Sequence, residues 1–172
     1  MIDRTPVPDG LTRVVIGVDP AGGGGDEHGI IVAGKDASGT AYVLADGTEP
    51  GTASPNTWAQ AVANLYRRHE ADRVVAEINF GGDMVESTLR TAAPDLPVSI
   101  VRASRGKAVR AEPVAALYET GKVKHAGTFD ALESQMTTWD PQNDKGSPDR
   151  VDALVWALTD LMLTRKASLT FV

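Results

Sequence analysis

Cysteine is absent from the 172 residues. Disulfide frameworks, thiolate nucleophiles and cysteine-ligated zinc or iron-sulfur centres are therefore excluded, and a reducing compartment fits. Histidine is scarce: His28, His69 and His125 show no i, i+4 pairing, which excludes a helical two-histidine zinc site. Any metal chemistry must then use carboxylates, which favours Mg2+ or Mn2+. Basic residues are outnumbered, 17 against 23 acids, for a net charge of −6. Nothing global attracts a phosphate backbone or an anionic membrane, so nucleic-acid binding would need a local patch. Apolar runs fall well short of the roughly 18 residues that span a bilayer, and the amino terminus has no signal-type apolar region. The expectation is a soluble, untargeted protein of about one domain, 42% apolar.

Residues 1–12, with Pro6, Pro8 and Gly10, read as a lead-in or linker, 13–166 as the folded domain and 167–172 as a tail. Three short β-branched or apolar runs, Arg13 to Val18, His28 to Gly34 and Thr40 to Leu44, predict an antiparallel meander. The first must stop at Asp19-Pro20, because the residue before proline is pushed away from helix. Ser54-Pro55 then opens a helix with Trp58, Val62, Leu65 and His69 at helical spacing. A strand from Arg73 to Ile78 precedes Gly81-Gly82 and a helix whose apolar face is Met84, Val85, Leu89 and Ala92. Leu96 to Val101 predicts another strand. A helix within Lys107 to Thr120 follows, kinked at Pro113 or starting near Arg110, and stopped by Gly121. Lys122 to His125 reads as extended and Phe129 to Trp139 as helix; Ser147-Pro148 repeats the cap signal and launches a last helix to about Arg165. The fold class is α/β, a mixed sheet flanked by helices.

A carboxylate inside an apolar segment is costly unless paired or metal-bound, so its position is information. Asp19 ends the strand VVIGV. Glu77 interrupts VVAEI, and Asp152 lies in the apolar helix VDALVWALTDLML, with Asp149 three residues earlier on the same face. Each has a structural alternative: turn formation for Asp19, an ion pair or solvent-facing register for Glu77, helix-dipole complementarity for Asp149, and pairing with Arg150 or Lys145 for Asp152. Taken together, with no buried cation evident in the sequence, the four suit a divalent-metal site, and two-metal phosphodiester hydrolysis needs just such a set of acids. Arg102, Arg105, Lys107 and Arg110 form an acid-free strip that reads either as a solvated surface or as a DNA-binding, phosphate-contacting patch.

These residues resemble the C-terminal nuclease domain of phage terminase large subunits, of the ribonuclease H-like superfamily. The resemblance runs from Val14 to Leu163 and is carried most specifically by Lys107-Ala-Val-Arg-Ala-Glu-Pro-Val and by Ser147-Pro-Asp-Arg-Val-Asp-Ala-Leu-Val-Trp-Ala. Glu77-Ile-Asn-Phe-Gly-Gly and Gly25-Asp26-Glu-His-Gly-Ile add to it. It implies a ribonuclease H-like fold in which Asp19, Glu77 and Asp152 are catalytic and bind two divalent cations. Asp149 is similar to the extra acid of RuvC-type resolvases, and Asp26 falls near the rim or in a turn. It also implies an endonuclease acting on double-stranded viral DNA concatemers, with an ATPase domain, the small terminase and the portal protein as partners, in the cytoplasm of an infected bacterial host. No G-x-x-x-x-G-K-[ST] occurs, so an excised or separate nuclease domain is expected. The alternatives are an actin-like or sugar-kinase-like ATPase domain, and a non-catalytic domain binding DNA or the portal. Two bound divalent ions would change the formal charge from −6 to −2, so DNA affinity is expected to depend on metal as well as on the basic strip.

Overall fold

In the computed structural model, residues 1–22, 26–78, 82–143 and 146–164 are described. The chain runs β1 (Leu11–Asp19), β2 (Glu27–Asp36), β3 (Ala41–Asp46), β4 (Glu49–Pro50), α1 (Pro55–Arg68), β5 (Arg73–Glu77), α2 (Gly82–Ala92) and β6 (Val98–Val101). It continues through α3 (Lys107–Glu119), β7 (Val123–His125), α4 (Asp130–Thr138) and α5 (Asp149–Leu158) to a π-helical turn at Thr159–Leu163. The strand order is β6-β5-β1-β2-β3-β7, with β4 beside β2. β1, β2 and β3 form the expected antiparallel meander; β5, β6 and β7 join in parallel.

β1 is central because its residues are apolar on both faces. Val14, Ile16 and Val18 pack with Trp58, Val62 and Leu89 under α1 and α2, whereas Val15 packs with Val114, Leu132, Leu154 and Leu158 under α3, α4 and α5. This period-2 division of one continuous apolar run gives the sheet a core on each side. On the second face two residues lack side chains. A Cβ on Gly17 would run into the Ala153 carbonyl of α5, and one on Gly29 into the Asp149 carbonyl. These two glycines therefore let the backbone of α5 lie directly on β1 and β2.

Several sequence expectations shift. Ser54 caps α1 as expected, accepting a hydrogen bond from Thr57 N at 3.2 Å, but His69 follows the helix rather than belonging to it. Ser147 does not cap α5: Pro148 takes the cap position, its carbonyl accepts from Asp152 N at 2.8 Å, and the Ser147 hydroxyl is committed elsewhere. The α-helix ends at Leu158, where the π-helical turn takes over, and Arg165 lies outside the described residues. α3 begins at Lys107 and continues through Pro113, whose side lies exposed, so solvent can reach the carbonyl freed by the missing N–H. Met84 is 70% exposed, and Leu89 alone of its expected face is fully buried.

β1 starts at Leu11, two residues before the expected domain edge, and the lead-in is partly docked. Asp3 O accepts from His125 N at 2.8 Å and Thr5 N donates to His125 O at 3.0 Å, lengthening the sheet beyond β7. Arg4 pairs with Glu133, NH2 to Oε2 being 2.7 Å. Burial holds His125 below the ordinary histidine pKa, so its Nδ1–H donates to Glu133 at 2.9 Å and its Nε2 accepts from the Tyr118 hydroxyl at 2.8 Å. No described helix is long and apolar enough to cross a membrane.

Candidate active site

The parallel pairing of Val18 with Ala76 brings the next residues, Asp19 and Glu77, to the same end of adjacent strands. The glycine contacts lay the first turn of α5 over that end, and with it Asp149 and Asp152. All four acids are 3–4% exposed. Their environments differ sharply.

Asp149 accepts one hydrogen bond on each oxygen: its Oδ2 from the Glu27 backbone N–H at 2.8 Å and its Oδ1 from the Ser147 hydroxyl at 2.6 Å. Glu77 Oε2 accepts from the Trp156 indole N–H at 2.7 Å, and Arg110 approaches it at 3.6 Å while lying 4.9 Å over the Trp156 ring. Asp152 Oδ2 contacts Lys107 Nζ at 2.7 Å, and Lys107 also donates to the Ser147 hydroxyl at 3.0 Å. Asp19, by contrast, accepts no hydrogen bond from any described residue. Burial, then the neighbouring Asp152, Glu77 and Asp149 charges, push its carboxyl up to about 9. Burial also raises Asp152 above the ordinary carboxylate range, against the opposing pull of Lys107. Lys107 in turn loses basicity to burial but regains more from Asp152, Asp19 and Asp149.

The expectation that no cation stands near the buried acids is corrected: Lys107 and Arg110, both members of the basic strip, are their neighbours. The register of α3 turns both into the acidic cluster, and Arg110 is only 12% exposed. Arg102 is exposed and lines a cavity of about 400 Å3 with Asp19, Asp26, Asp149 and Ser147; Arg105 is exposed on the adjoining loop and does not line it. Asp152 does not pair with Arg150, which instead binds Glu27 and Asp46 at 2.6 and 2.9 Å. Lys145 lies outside the described residues, as does Gly81.

Among the described residues, no three His, Asp or Glu side chains converge tightly enough to hold an ion as they stand. The donor set nevertheless fits a hard divalent cation. It is all carboxylate oxygen, one member is buried and without a hydrogen-bond donor, and the Lys107 ammonium stands against another as a resident positive charge. Asp19, Glu77 and Asp152 would hold the ions. Asp149, which accepts one hydrogen bond on each oxygen, would join them through its remaining lone pairs.

Sequence reasoning missed Trp156 and Ser147. Trp156 sits one helical turn after Asp152, which is a signal that it shares the site-facing side of α5. Nothing in the sequence marks Ser147 as a hydrogen-bond bridge between Lys107 and Asp149.

A mixed sheet with an antiparallel meander, parallel additions and acids at the ends of β1, β5 and the start of α5 is the ribonuclease H-like fold. Residues 16–161 match the model of the terminase RNaseH-like domain, and the chain belongs to that family. The nuclease domain of the P22 large terminase superposes with a TM-score of 0.67 at 14% identity, covering 94% of this chain and 86% of its own. The large terminase nuclease of thermophilic phage G20c, solved with bound magnesium, gives 0.65 at 19% identity, over 90% of this chain and 83% of that one. The yeast mitochondrial Holliday junction resolvase gives 0.53 at 14%, over 87% and 79%. A search of the curated proteins finds no match.

Proposed function

We propose that this domain is a metal-dependent endonuclease that cuts double-stranded viral DNA concatemers during genome packaging. The observation that carries the reading is Asp19: a buried carboxyl, without a hydrogen-bond donor among the described residues, facing three more acids in a domain of the terminase family. Two divalent cations, Mg2+ or Mn2+, supply Lewis-acid activation of water and charge neutralisation at the phosphate when bound. Asp19, Glu77 and Asp152 hold them, with Asp149 as an additional ligand. Trp156 orients Glu77 through the 2.7 Å indole hydrogen bond, and Arg110 buttresses both. Lys107 balances the charge of Asp152 in the metal-free fold. Arg102, at the mouth of the cavity, takes a phosphate of the duplex, with Arg105 farther out. In this reading the domain works with a terminase ATPase domain, the small terminase and the portal, in the cytoplasm of the infected bacterium.

Plasmid nicking with Mg2+, Mn2+ and Ca2+, in the parent and in four single carboxylate-to-amide variants, tests this. Cleavage in Mn2+ that disappears in Asp19→Asn, Glu77→Gln and Asp152→Asn and weakens in Asp149→Asn is expected. Undiminished cleavage in Asp19→Asn or Asp152→Asn overturns the assignment.

A further inference from the structure

The pairing registers create a second charged cavity, at the opposite end of the same sheet face. Arg13 is paired with Lys35 across the antiparallel β1–β2 ladder, and Val15 with Arg73 across the parallel β1–β5 ladder. Since Arg13 and Val15 share a face, three cations are brought together on neighbouring strands, an arrangement that repels itself. They line a cavity of about 370 Å3 with Thr12, Thr164 and a single acid, Asp160, which the π-helical turn presents to them. Three positive charges against one negative leave a net of +2 among the described lining residues.

Asp160 satisfies this cluster poorly. It lies 2.9 Å from Arg73 and 3.7 Å from Arg13, yet neither guanidinium donates a hydrogen bond to it or to any other described residue. Arg73 Nε and Asp160 Oδ2 are both buried without a hydrogen-bond partner. Lys35 donates one hydrogen bond, to the Leu161 carbonyl at 2.9 Å, and an ammonium carries three donors. Both arginines keep about a third of their side chains exposed, so the cavity is open to a ligand. Unfilled guanidinium forks, excess positive charge and room for a small group are the recognition chemistry of a tetrahedral oxyanion.

We infer that this cavity is an oxyanion site that binds a phosphate group between Arg13, Arg73 and Lys35. Arg13 stands six residues before Asp19 on β1, about 20 Å away at strand rise, so the site is separate from the acidic cluster. The inference does not depend on the nuclease reading. The phosphate comes either from a nucleic-acid backbone or from a free small anion.

Calorimetric titration with inorganic phosphate, in EDTA so that no divalent ion bridges phosphate to the carboxylates, tests it. Saturable binding is expected, weakened at least tenfold in Arg73→Gln and tightened several-fold in Asp160→Asn, which removes the competing carboxylate. Lys35→Gln provides the same test should circular dichroism show Arg73→Gln unfolded. A short DNA duplex that displaces phosphate identifies a backbone source, whereas displacement by a mononucleotide and not by the duplex identifies a free anion. No saturable phosphate binding, or unchanged affinity in both the Arg73 and Lys35 variants, overturns the inference.

Discussion

Replacing Asp19 by Asn should stabilise the metal-free domain, and by an amount that grows with pH. The carboxyl is pushed from an ordinary 3.8 to about 9. Between those values the folded chain keeps a proton that the unfolded chain has lost, so ν_U − ν_N is negative and stability falls as pH rises. Each pH unit costs about 1.4 kcal/mol, so from pH 4 to pH 7 the wild type forfeits about 4 kcal/mol that the uncharged amide keeps. Asparagine mimics the neutral acid already present in the fold. Urea unfolding in EDTA, followed by tryptophan fluorescence across pH 4 to 7, measures it. A stability gap that is the same at both ends of that range would falsify the electrostatic account of Asp19.

The contacts around the site set the outcome of four further substitutions. Trp156→Phe removes the indole donor to Glu77 while keeping an aromatic ring near Arg110; Mn2+ affinity should fall by about 10- to 100-fold in a calorimetric titration with the fold intact. Gly29→Ala forces α5 off the sheet at the Asp149 carbonyl, so thermal unfolding should report a loss of about 1–3 kcal/mol together with weaker metal binding. Arg102→Ala should reduce the salt dependence of DNA binding by about one counterion, measured by anisotropy over a salt series, whereas Arg110→Gln should lower stability and leave that slope nearly unchanged.

The meander and the two-sided core were readable because β1 is apolar at every position from Val14 to Val18, which only a strand covered on both faces can use. The acidic cluster was readable for a related reason: Asp19, Glu77 and Asp152 interrupt segments that otherwise must be buried. What could not be read was direction. A charge strip from Arg102 to Arg110 looks uniform in sequence, but the turn into α3 at Lys107 splits it, leaving two arginines outside, bringing the half-exposed Lys107 against Asp152 and burying most of Arg110 beside Glu77. Ser147-Pro148 carried a good cap signal that lost to a stronger local demand, since Asp149 and Lys107 both hydrogen-bond to the Ser147 hydroxyl. The docking of residues 3–5 against β7 depends on long-range pairing with Glu133 and His125, which no local pattern encodes.

Calorimetric titration with Mn2+ at pH 7, in two buffers of different ionisation enthalpy, decides whether the acidic cluster binds divalent metal through Asp19. Two ions bound per domain and the release of about one proton as the Asp19 carboxyl ionises are expected, with both signals lost or greatly reduced in Asp19→Asn. No saturable Mn2+ binding, or the same isotherm and proton count in Asp19→Asn, would contradict metal binding through Asp19.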